Sequence, residues 1–420
     1  MNFKFEELIK WNEKIEIKAR GFGLDYYFQE FEVISFEDML CYETYVGMPC
    51  HYPHWSFGKS YEKLKTLYSY DLTGLPYEMV INSDPCIAYL MKDNSLLVQI
   101  LTMAHVYGHN DFFKNNRLFK KYTRANLSIE MFKNHATRIR SYIQDPSIGY
   151  AQVEKVLDAA HAIKLQWGEC EQEDISNENL LLFIMENGNL EDWQRDIVMI
   201  VAEQSKYFAP QIETKIMNEG WASWWHYQIL QSLDLPANLQ IEFLKTHNSV
   251  IAPSKGAINP YYIGFKIWES LSIKYKENPD KLLQIREVER DASFIRNYLT
   301  FDLCKELNLF EFQEEDRYYV VSEVSNQDGW RRVRNQLALM VGYGSVPNIV
   351  VEGMQQSDRT LTLKHYYDER ELHLNYASET LKHIQSLWGG KVILKTVLNN
   401  IERCITCNEQ GKVSVESCHN

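Results

Sequence analysis

The sequence predicts an α+β protein. A large, mainly α-helical N-terminal domain with irregular aromatic-rich segments precedes a small βαββαβ, ferredoxin-like C-terminal domain. Apolar residues recur at helical spacing over most of residues 94–310, and near residue 312 the pattern changes to short β-like runs between helices. The chain has 420 residues, 45% hydrophobic and 24% charged, which is enough for more than one globular core. We therefore predict domains at 1–312 and 315–400, followed by a flexible tail at 401–420.

The N-terminal domain is predicted element by element. Residues 1–40 read as one or two amphipathic helices, whereas residues 41–92 are rich in glycine, proline and aromatic residues and contain only short β-like runs. Such irregular chain often lines a site. Helices are then predicted from apolar spacing and from stop signals such as Pro210. Their sequences are SLLVQILTMAHVYGHNDFFKNN, SIEMFKNHATRIRSYIQ, GYAQVEKVLDAAHAIKLQWG, LEDWQRDIVMIVAEQSKYFAP, IETKIMNEGWASWWHYQILQSL, NPYYIGFKIWESLSIKYKE and LLQIREVERDASFIRNYL.

The C-terminal domain is predicted from the order of its signals. The strands are RYYVVSEV, NIVVEGM, TLTLKHYY and KVILKTVL, and the helices are GWRRVRNQLALMVG and YASETLKHIQSLWGG, each closed by glycine. This order is that of the split βαβ unit. No catalytic motif occurs in it, so we expect a scaffold or a partner-docking role.

The composition argues against several classes of protein. A formal net charge of −13 disfavours general nucleic-acid binding, which uses basic surfaces. The N-terminal sequence MNFKFEELIKWNEKIEIKAR is charged and amphipathic, unlike a secretory signal, and no run approaches the roughly 18 apolar residues of a membrane span. Eight cysteines without framework spacing predict reduced thiols. We therefore expect a cytoplasmic protein.

Two histidines mark the candidate site. His105 and His109 lie four residues apart in LTMAHVYGHNDFFKNN, so a helix would place both on one face. The zinc-protease motif HExxH has this spacing, but Val106 stands where that motif has its catalytic glutamate. Two hydrogen-bonded core histidines would give the same pattern, so both interpretations stay open at this point.

Other polar residues on apolar helices favour a metal site. Glu219 and His226 lie seven apart in MNEGWASWWHY, and a buried carboxylate is costly unless it is paired or bound to a cation. Helical metal sites are built from facing helices in this way. We predict that His105, His109 and Glu219 bind a divalent metal, zinc first, with iron or manganese as alternatives. A di-iron or di-manganese site using Asp158 and His161 is a second alternative.

A hydrolytic site also needs a base and supporting groups. Glu203, Asp111 and His161 are candidates to replace the missing glutamate, with Glu203 preferred. The predicted catalytic residues are Glu203, His161 and His226. The residues predicted to support the metal ligands or bind substrate are Asp111, Asp158, Tyr107, Glu78, Asp84 and His54. Asp158 and His161 could equally form a hydrogen bond along one helix face, and Asp84 before Pro85 could serve as a turn residue.

Two resemblances support this prediction. MNEGWAS is similar to the NEGFAS segment of gluzincin aminopeptidases, whose glutamate is the third zinc ligand, although Glu219 follows His109 by 110 residues. The chain also resembles the SpoVR family, stage V sporulation protein R, from about residue 46 to 264. The matching strings are GMPCHYPHWSFGKSYE, LTGLPYEMVINSDPCIAYLM, TMAHVYGHNDFFKNN, LDAAHAI, YFAPQIETKIMNEGWASWWHY and NPYYIG. His51 and Trp224 depart from the expected arginine and phenylalanine.

Two functions from different classes are expected. One is a cytosolic metal-dependent hydrolase, metallopeptidase-like or amidase-like, which His105, His109 and Glu219 on apolar helix faces indicate. The family resemblance adds a part in forming the spore cortex, a modified peptidoglycan. The other is a non-enzymatic regulatory or assembly protein. The missing base at Val106 and the many aromatic residues, which suit interfaces, indicate this second function. The family resemblance implies its partners, a PrkA-type serine kinase and a von Willebrand-like protein of the YeaH/YhbH group, which are common gene neighbours of the family.

Overall fold

A computed structural model describes residues 4–69, 78–166, 179–253, 258–309, 311–315, 318–323 and 327–418. The helices are α1 (Phe5–Gly21), α2 (Phe36–Thr44), α3 (Trp55–Ser69), α4 (Leu96–Asn115), α5 (Arg117–Tyr122), α6 (Ser128–Gln144), α7 (Tyr150–Ile163), α8 (Leu180–Asn187), α9 (Asp192–Glu213), α10 (Lys215–Ser232), α11 (Ala237–Val250), α12 (Pro260–Lys274), α13 (Asp280–Val288), α14 (Asp291–Tyr298), α15 (Phe301–Glu306), α16 (Gln327–Met340) and α17 (Leu374–Trp388). Short 3₁₀ helices span Ala125–Leu127 and Gly342–Ser345. Within the described ranges, no helix is long and apolar enough to cross a membrane.

The strands of the described residues form three small sheets. They are β1 (Gln29–Ile34), β2 (Glu78–Ile81), β3 (Cys86–Met91), β4 (Glu311–Glu315), β5 (Tyr318–Glu323), β6 (Ile349–Met354), β7 (Leu361–His365), β8 (Val392–Leu398), β9 (Ile401–Cys407) and β10 (Val413–Ser417). Their orders are β1-β3-β2, β4-β5 and β10-β9-β8-β7-β6. The predicted α+β class is therefore confirmed, with a large helical N-terminal region and a small C-terminal sheet domain. The segment predicted as irregular, 41–92, includes a helix, α3, as well as two short strands.

The chain forms two compact units whose limits differ from the predicted boundary near 312. The first unit comprises Met1–His51, Trp55–Phe132 and Ala209–Gly342, and the second comprises Tyr52–His54, Lys133–Phe208 and Tyr343–Asn420. The difference has a packing cause. Helices α7 and α8, from the middle of the chain, pack on α17 of the C-terminal sheet domain, so the two segments share one core.

Helix α4 lies at the centre of the first unit. Every residue from Gln99 to Phe113 is buried, so this helix has no solvent-facing side. Its sequence is accordingly apolar all round, which is typical of a central helix. Ser95 caps its N-terminus by accepting a hydrogen bond from the Val98 amide. The histidines of this helix are therefore held inside a packed core rather than on a surface.

Glycines let α10 approach two neighbouring helices unusually closely. A Cβ atom placed on Gly108 of α4 would lie 2.7 Å from Cα of Ala222 on α10. On the other side, a Cβ on Gly220 of α10 would overlap the backbone of Gly264 on α12. Gly108 lies between the two predicted histidine ligands, and Gly220 directly follows the predicted carboxylate ligand Glu219. The close helix contacts therefore occur at the same level as the candidate site.

The three-stranded sheet places the start of β2 beside the central helix α4. Strand β3 pairs in parallel with β1 and antiparallel with β2. The register pairs Glu78, the first residue of β2, with Leu90 of β3. Strand β2 contacts α4, so the start of the strand reaches the central helix.

The predicted βαββαβ order is wrong in its first half. Strand β5 pairs with β4 in a local antiparallel hairpin, and both belong to the first unit. Helix α16 packs there on α14 and α15, with the Trp330 indole donating a hydrogen bond to the Leu299 carbonyl. A hairpin between adjacent segments closes only a short loop, so its entropic cost is low, and β5 pairs with β4 rather than joining the five-stranded sheet of the second unit. The C-terminal domain consequently has five strands and one helix.

The predicted flexible tail, 401–420, is also wrong over its described part, because it supplies strands β9 and β10. Asn399 and Asn400 both have positive φ, 51° and 59°, as a two-residue type I′ hairpin turn requires. Strand β9 pairs along the whole of β8, and Ile405 and Cys407 are fully buried. Cys404 is disulfide-bonded to Cys418, so the prediction of uniformly reduced thiols fails for this pair.

The glycine contacts of α10 generate a stability prediction. We expect Gly220→Ala to destabilise the protein by about 1–3 kcal/mol, the usual cost of overpacking, because the new methyl group meets the backbone of Gly264. Urea denaturation followed by circular dichroism measures the change.

Gly58→Ala is the matched control. Gly58 lies on α3, and nothing lies within 4 Å of the position that the new methyl group would occupy, so this change should be neutral or slightly stabilising. Equal stabilities of Gly220→Ala and Gly58→Ala would contradict the close approach of α10 and α12.

Candidate metal centre

Four side chains from three elements meet in the first unit. His105 and His109 come from α4, Glu219 from α10 and Glu78 from the start of β2, and one ligand atom of each lies within 4.8 Å of all the others. Nε2 of His109 lies 3.4 Å from Oε2 of Glu219, and Nε2 of His105 lies 3.4 Å from Oε1 of Glu78. The three predicted ligands are thus brought together, and Glu78 joins them directly.

Hydrogen bonds behind the cluster turn both imidazoles toward its centre. Nδ1 of His109 lies 2.9 Å from Oδ1 of Asn218, so this nitrogen carries the hydrogen and donates it. Nδ1 of His105 lies 2.9 Å from Nδ1 of His226 on α10. In both cases Nδ1 is occupied by a neighbouring side chain and Nε2 faces the carboxylates. Orientation of a metal-binding histidine through its second nitrogen is common in metalloproteins.

The electrostatics of the cluster favour a carboxylate held among histidines. Burial by itself would raise the pKa of Glu219, but the neighbouring imidazoles of His105 and His109 outweigh it and hold that pKa well below its usual range. Burial would lower the pKa of His109, but the Glu219 carboxylate outweighs this and the net shift is upward. Glu219 is therefore ionised at neutral pH, and its negative charge attracts cations to the cluster.

Two buried polar atoms of the cluster have ion-pair neighbours but lack a hydrogen-bond partner among the described residues. Among the described residues, neither Nε2 of His105 nor Oε2 of Glu219 makes a hydrogen bond, although both atoms are buried. Buried polar groups are otherwise almost always satisfied. The two atoms lie 3.8 Å apart, too far for a hydrogen bond and close enough to share a cation.

The spacing of the donor atoms fits a small divalent metal. Two ligand atoms about 2.1 Å from a tetrahedral zinc ion lie roughly 3.4 Å apart, which is the separation of His109 from Glu219 and of His105 from Glu78. Two imidazoles with one or two carboxylates suit zinc, iron or manganese. The residues present therefore fit a metal, and the donor set leaves its identity open.

A chain of buried histidines continues behind His105. His226, predicted as catalytic, lies between His105 and His247 of α11, and its Nε2 is 2.8 Å from Nδ1 of His247. Burial, followed by the nearby His105, lowers the pKa of both His226 and His247, the latter to about 4. Both histidines are therefore neutral at physiological pH. His226 contacts a predicted ligand rather than the centre of the cluster.

Asp111 and Tyr107 face away from the cluster. Asp111 accepts hydrogen bonds from the Asp25 amide at 2.9 Å and from the Trp221 indole at 2.8 Å, and it pairs with Arg286. Burial raises the pKa of Asp111 to about 6 despite these partners. The Tyr107 hydroxyl donates to Asn12. Both residues connect α4 to its neighbours, so Asp111 is not placed to replace the missing base.

The remaining predicted residues have other partners. Asp84 is exposed in a turn with a cis peptide bond to Pro85, which agrees with the turn interpretation. Glu203 is 45% exposed and lies 2.9 Å from Nε2 of His135. Both of these partners belong to the second unit, and Glu203 is not a member of the metal cluster.

A second polar group in the second unit contains the other three predicted residues. Nε2 of His54 lies 3.2 Å from Oδ1 of Asp158, and Nε2 of His161 lies 2.7 Å from the Tyr52 hydroxyl. The His54 and His161 rings contact each other edge to face. Asp158 and His161 thus contact residues of the 52–54 segment. Their predicted catalytic and metal-binding roles stay predictions.

Sequence reasoning finds three members of the cluster and places the fourth, Glu78, only as a supporting group. Glu78 begins a short strand, β2, in a different segment from the histidine pair, and no fixed spacing in the sequence links the two. It misses Asn218 and His247 altogether. Asn218, immediately before Glu219, is a signal that sequence reasoning could use, because a buried amide beside a partly buried carboxylate needs its own hydrogen-bond partner.

Comparison with known proteins gives a family over nearly the whole chain. The SpoVR like protein family matches residues 2–176 and 169–346, and the SpoVR-like C-terminal domain family matches residues 347–399. The chain is 32% identical to a protein of Escherichia coli (strain K12) named "Uncharacterized protein YcgB", over 96% of this chain and 95% of that protein. No solved structure matches the chain.

The buried His247 predicts an acid-dependent stability. Its pKa falls from 6.5 to about 4 on folding, so between these pH values the unfolded chain binds a proton that the folded chain does not. Stability should therefore be lost as the pH falls. Between pH 7 and pH 5 the metal-free wild type should lose on the order of 2 kcal/mol more than His247→Phe.

Urea denaturation in the presence of a chelator, at pH 7 and pH 5, measures this difference. His373→Phe, at an exposed histidine of the second unit, is the control and should retain the pH dependence of the wild type. An identical pH dependence in wild type and His247→Phe would contradict the burial of a neutral His247.

Proposed function

The chain belongs to the SpoVR family, which is linked to sporulation, and on this premise we propose that it is a divalent-metal-dependent hydrolase. The observation that carries the proposal is the convergence of His105, His109, Glu219 and Glu78 on one cluster, in which both histidines are buried and both glutamates are partly buried. Two imidazoles and a carboxylate are the ligand set of several hydrolytic zinc enzymes. The NEGWAS resemblance to gluzincin aminopeptidases supports the same assignment.

His105, His109 and Glu219 are assigned as the metal ligands. Each presents an atom to the same small volume, and the two histidines are oriented by Asn218 and His226. A divalent ion bound there would lower the pKa of a coordinated water and polarise a substrate carbonyl. Zinc fits this role best because it needs no redox partner, and iron and manganese are the alternatives.

Glu78 is assigned as the general base that HExxH enzymes place beside their first histidine. At the equivalent position α4 has a fully buried valine, Val106, and therefore no carboxylate. Glu78 reaches the cluster from β2 instead, and its side chain is 12% exposed. Its Oε1 lies beside Nε2 of His105, where it can take a proton from an attacking water and deliver it to a leaving amine.

The substrate class follows from the family rather than from the cluster. Resemblance to the SpoVR family implies a part in forming the spore cortex, and the peptide cross-links and amide bonds of peptidoglycan are substrates for a metallopeptidase or an amidase. We propose that the protein acts in the cytoplasm on an amide of a peptidoglycan precursor.

A second, non-enzymatic function is favoured by a different observation. Strands β6 and β10 are the edges of the five-stranded sheet, and Val415 of β10 is 46% exposed. An exposed edge strand can pair with a strand of a partner. We propose that the β10 edge is the docking site through which the protein assembles with a PrkA-type kinase or a von Willebrand-like YeaH/YhbH protein.

Substitution of Glu78 tests the hydrolase proposal. If Glu78 is the base, Glu78→Gln should lower amide hydrolysis by about 100-fold or more, because an amide cannot accept the proton. Metal content, measured by inductively coupled plasma mass spectrometry, should be unchanged. Turnover is measured on fluorogenic aminoacyl amides and on peptidoglycan-derived peptides.

Glu416→Gln is the control, since Glu416 is an exposed glutamate of β10 and should keep wild-type turnover. Wild-type turnover by Glu78→Gln would contradict the role of base. Loss of the metal in Glu78→Gln would instead make Glu78 a fourth ligand.

A further inference from the structure

Three buried histidines from three helices form one hydrogen-bonded row behind the metal cluster. Nδ1 of His105 lies 2.9 Å from Nδ1 of His226, and Nε2 of His226 lies 2.8 Å from Nδ1 of His247. Their residues are 2%, 0% and 2% exposed, so water does not compete for these nitrogens. Hydrogen bonds between buried groups of this kind hold their partners in fixed orientations.

The N–H hydrogens of three neutral imidazoles can be arranged along this row in only two ways. A neutral imidazole has one N–H donor and one bare nitrogen acceptor. If Nε2 of His105 is bare, its Nδ1–H donates to Nδ1 of His226, whose Nε2–H then donates to Nδ1 of His247. In the opposite order a hydrogen occupies Nε2 of His105, the atom that faces Glu78 and Glu219. Only the first order leaves His105 able to bind a metal.

The second ligand is oriented more simply. His109 donates from Nδ1 to the amide oxygen of Asn218, and an amide oxygen is always an acceptor. His226 differs, because its Nδ1 can accept a hydrogen bond from His105 only when its own hydrogen is on Nε2. Nδ1 of His247 lies 2.8 Å from that Nε2 and can accept a hydrogen bond from it. A third histidine is therefore needed behind His105, whereas one asparagine suffices behind His109.

We infer that His226 and His247 are positioning residues that hold His105 as the Nδ1–H tautomer, with Nε2 free for the metal. His247 acts through His226, and neither touches the metal. The inference rests on the proposed metal site and names the residues that make one of its ligands competent. It predicts that substitutions at both positions change metal affinity without removing a ligand.

Zinc titration against a chromophoric chelator tests the inference. His226→Phe should weaken zinc binding by about 10–100-fold, the usual effect of removing a hydrogen-bond partner of a metal-binding histidine. His226→Asn should restore most of the affinity, because its Oδ1 can accept from Nδ1 of His105. His365→Phe is the control: it removes a buried histidine of the second unit, bonded to Thr396, and should bind zinc like the wild type.

A double-mutant cycle isolates the role of His247. His247→Phe should weaken zinc binding in the wild-type background and have no further effect in the His226→Asn background, because an amide oxygen has no tautomer to be set. This cycle also decides the case if His226→Phe does not fold. Long-range ¹H–¹⁵N spectra of the zinc-loaded protein should show hydrogens on Nδ1 of His105 and Nε2 of His226.

The outcomes separate this inference from the metal site itself. A wild type that binds no zinc, iron or manganese would overturn both. A wild type that binds zinc, together with His226→Phe of equal affinity, would overturn the inference alone. Equal effects of His247→Phe in both backgrounds, or a hydrogen on Nδ1 of His226, would do the same.

Discussion

The close approach of α10 to α4 and α12 is the constraint on which the candidate site depends. Only glycine permits it, at Gly108 against Ala222 and at Gly220 against Gly264. Because these contacts adjoin His105, His109 and Glu219, the backbones that carry the donors are fixed within a tightly packed core. Packed interiors resist small displacements, so this packing holds the donors of α4 and α10 at their spacing. The site is therefore built into the fold rather than assembled from mobile loops.

Burial decides which partners the atoms of the cluster need. An ionised carboxylate withdrawn from water is stable only with partners of opposite charge or strong donors, and the partly buried Glu219 has two imidazoles beside it. Asn218 and His226 already occupy the outer nitrogens of those imidazoles, so the inner nitrogens are left to face the carboxylates. A cation bound there would satisfy both sets of atoms at once. Glu78, arriving from a strand, then supplies the carboxylate that α4 itself lacks at Val106.

The parts of the protein that sequence reasoning predicts are those governed by local spacing. Residues four apart on a helix share a face, so His105 and His109 are predicted together, and the polar Glu219 is recognisable within an apolar run. Glu78 and His247 depend on tertiary packing of separate segments, which spacing does not encode. The errors in the predicted C-terminal domain, its strand order and its flexible tail, have a similar origin. The Asn399–Asn400 pair is a hairpin signal that could reveal β9, but the departure of β5 into a local hairpin with β4 has no comparable signal.

The most direct test of the metal centre is the metal content of the protein purified without a histidine tag, determined by inductively coupled plasma mass spectrometry beside His109→Ala and Glu219→Ala. We expect about one equivalent of a divalent metal in the wild type and little in either folded variant. Folding of all three is checked by circular dichroism. A folded wild type without zinc, iron or manganese, even after incubation with each metal, would contradict the metal centre and make the four side chains a polar network of the core.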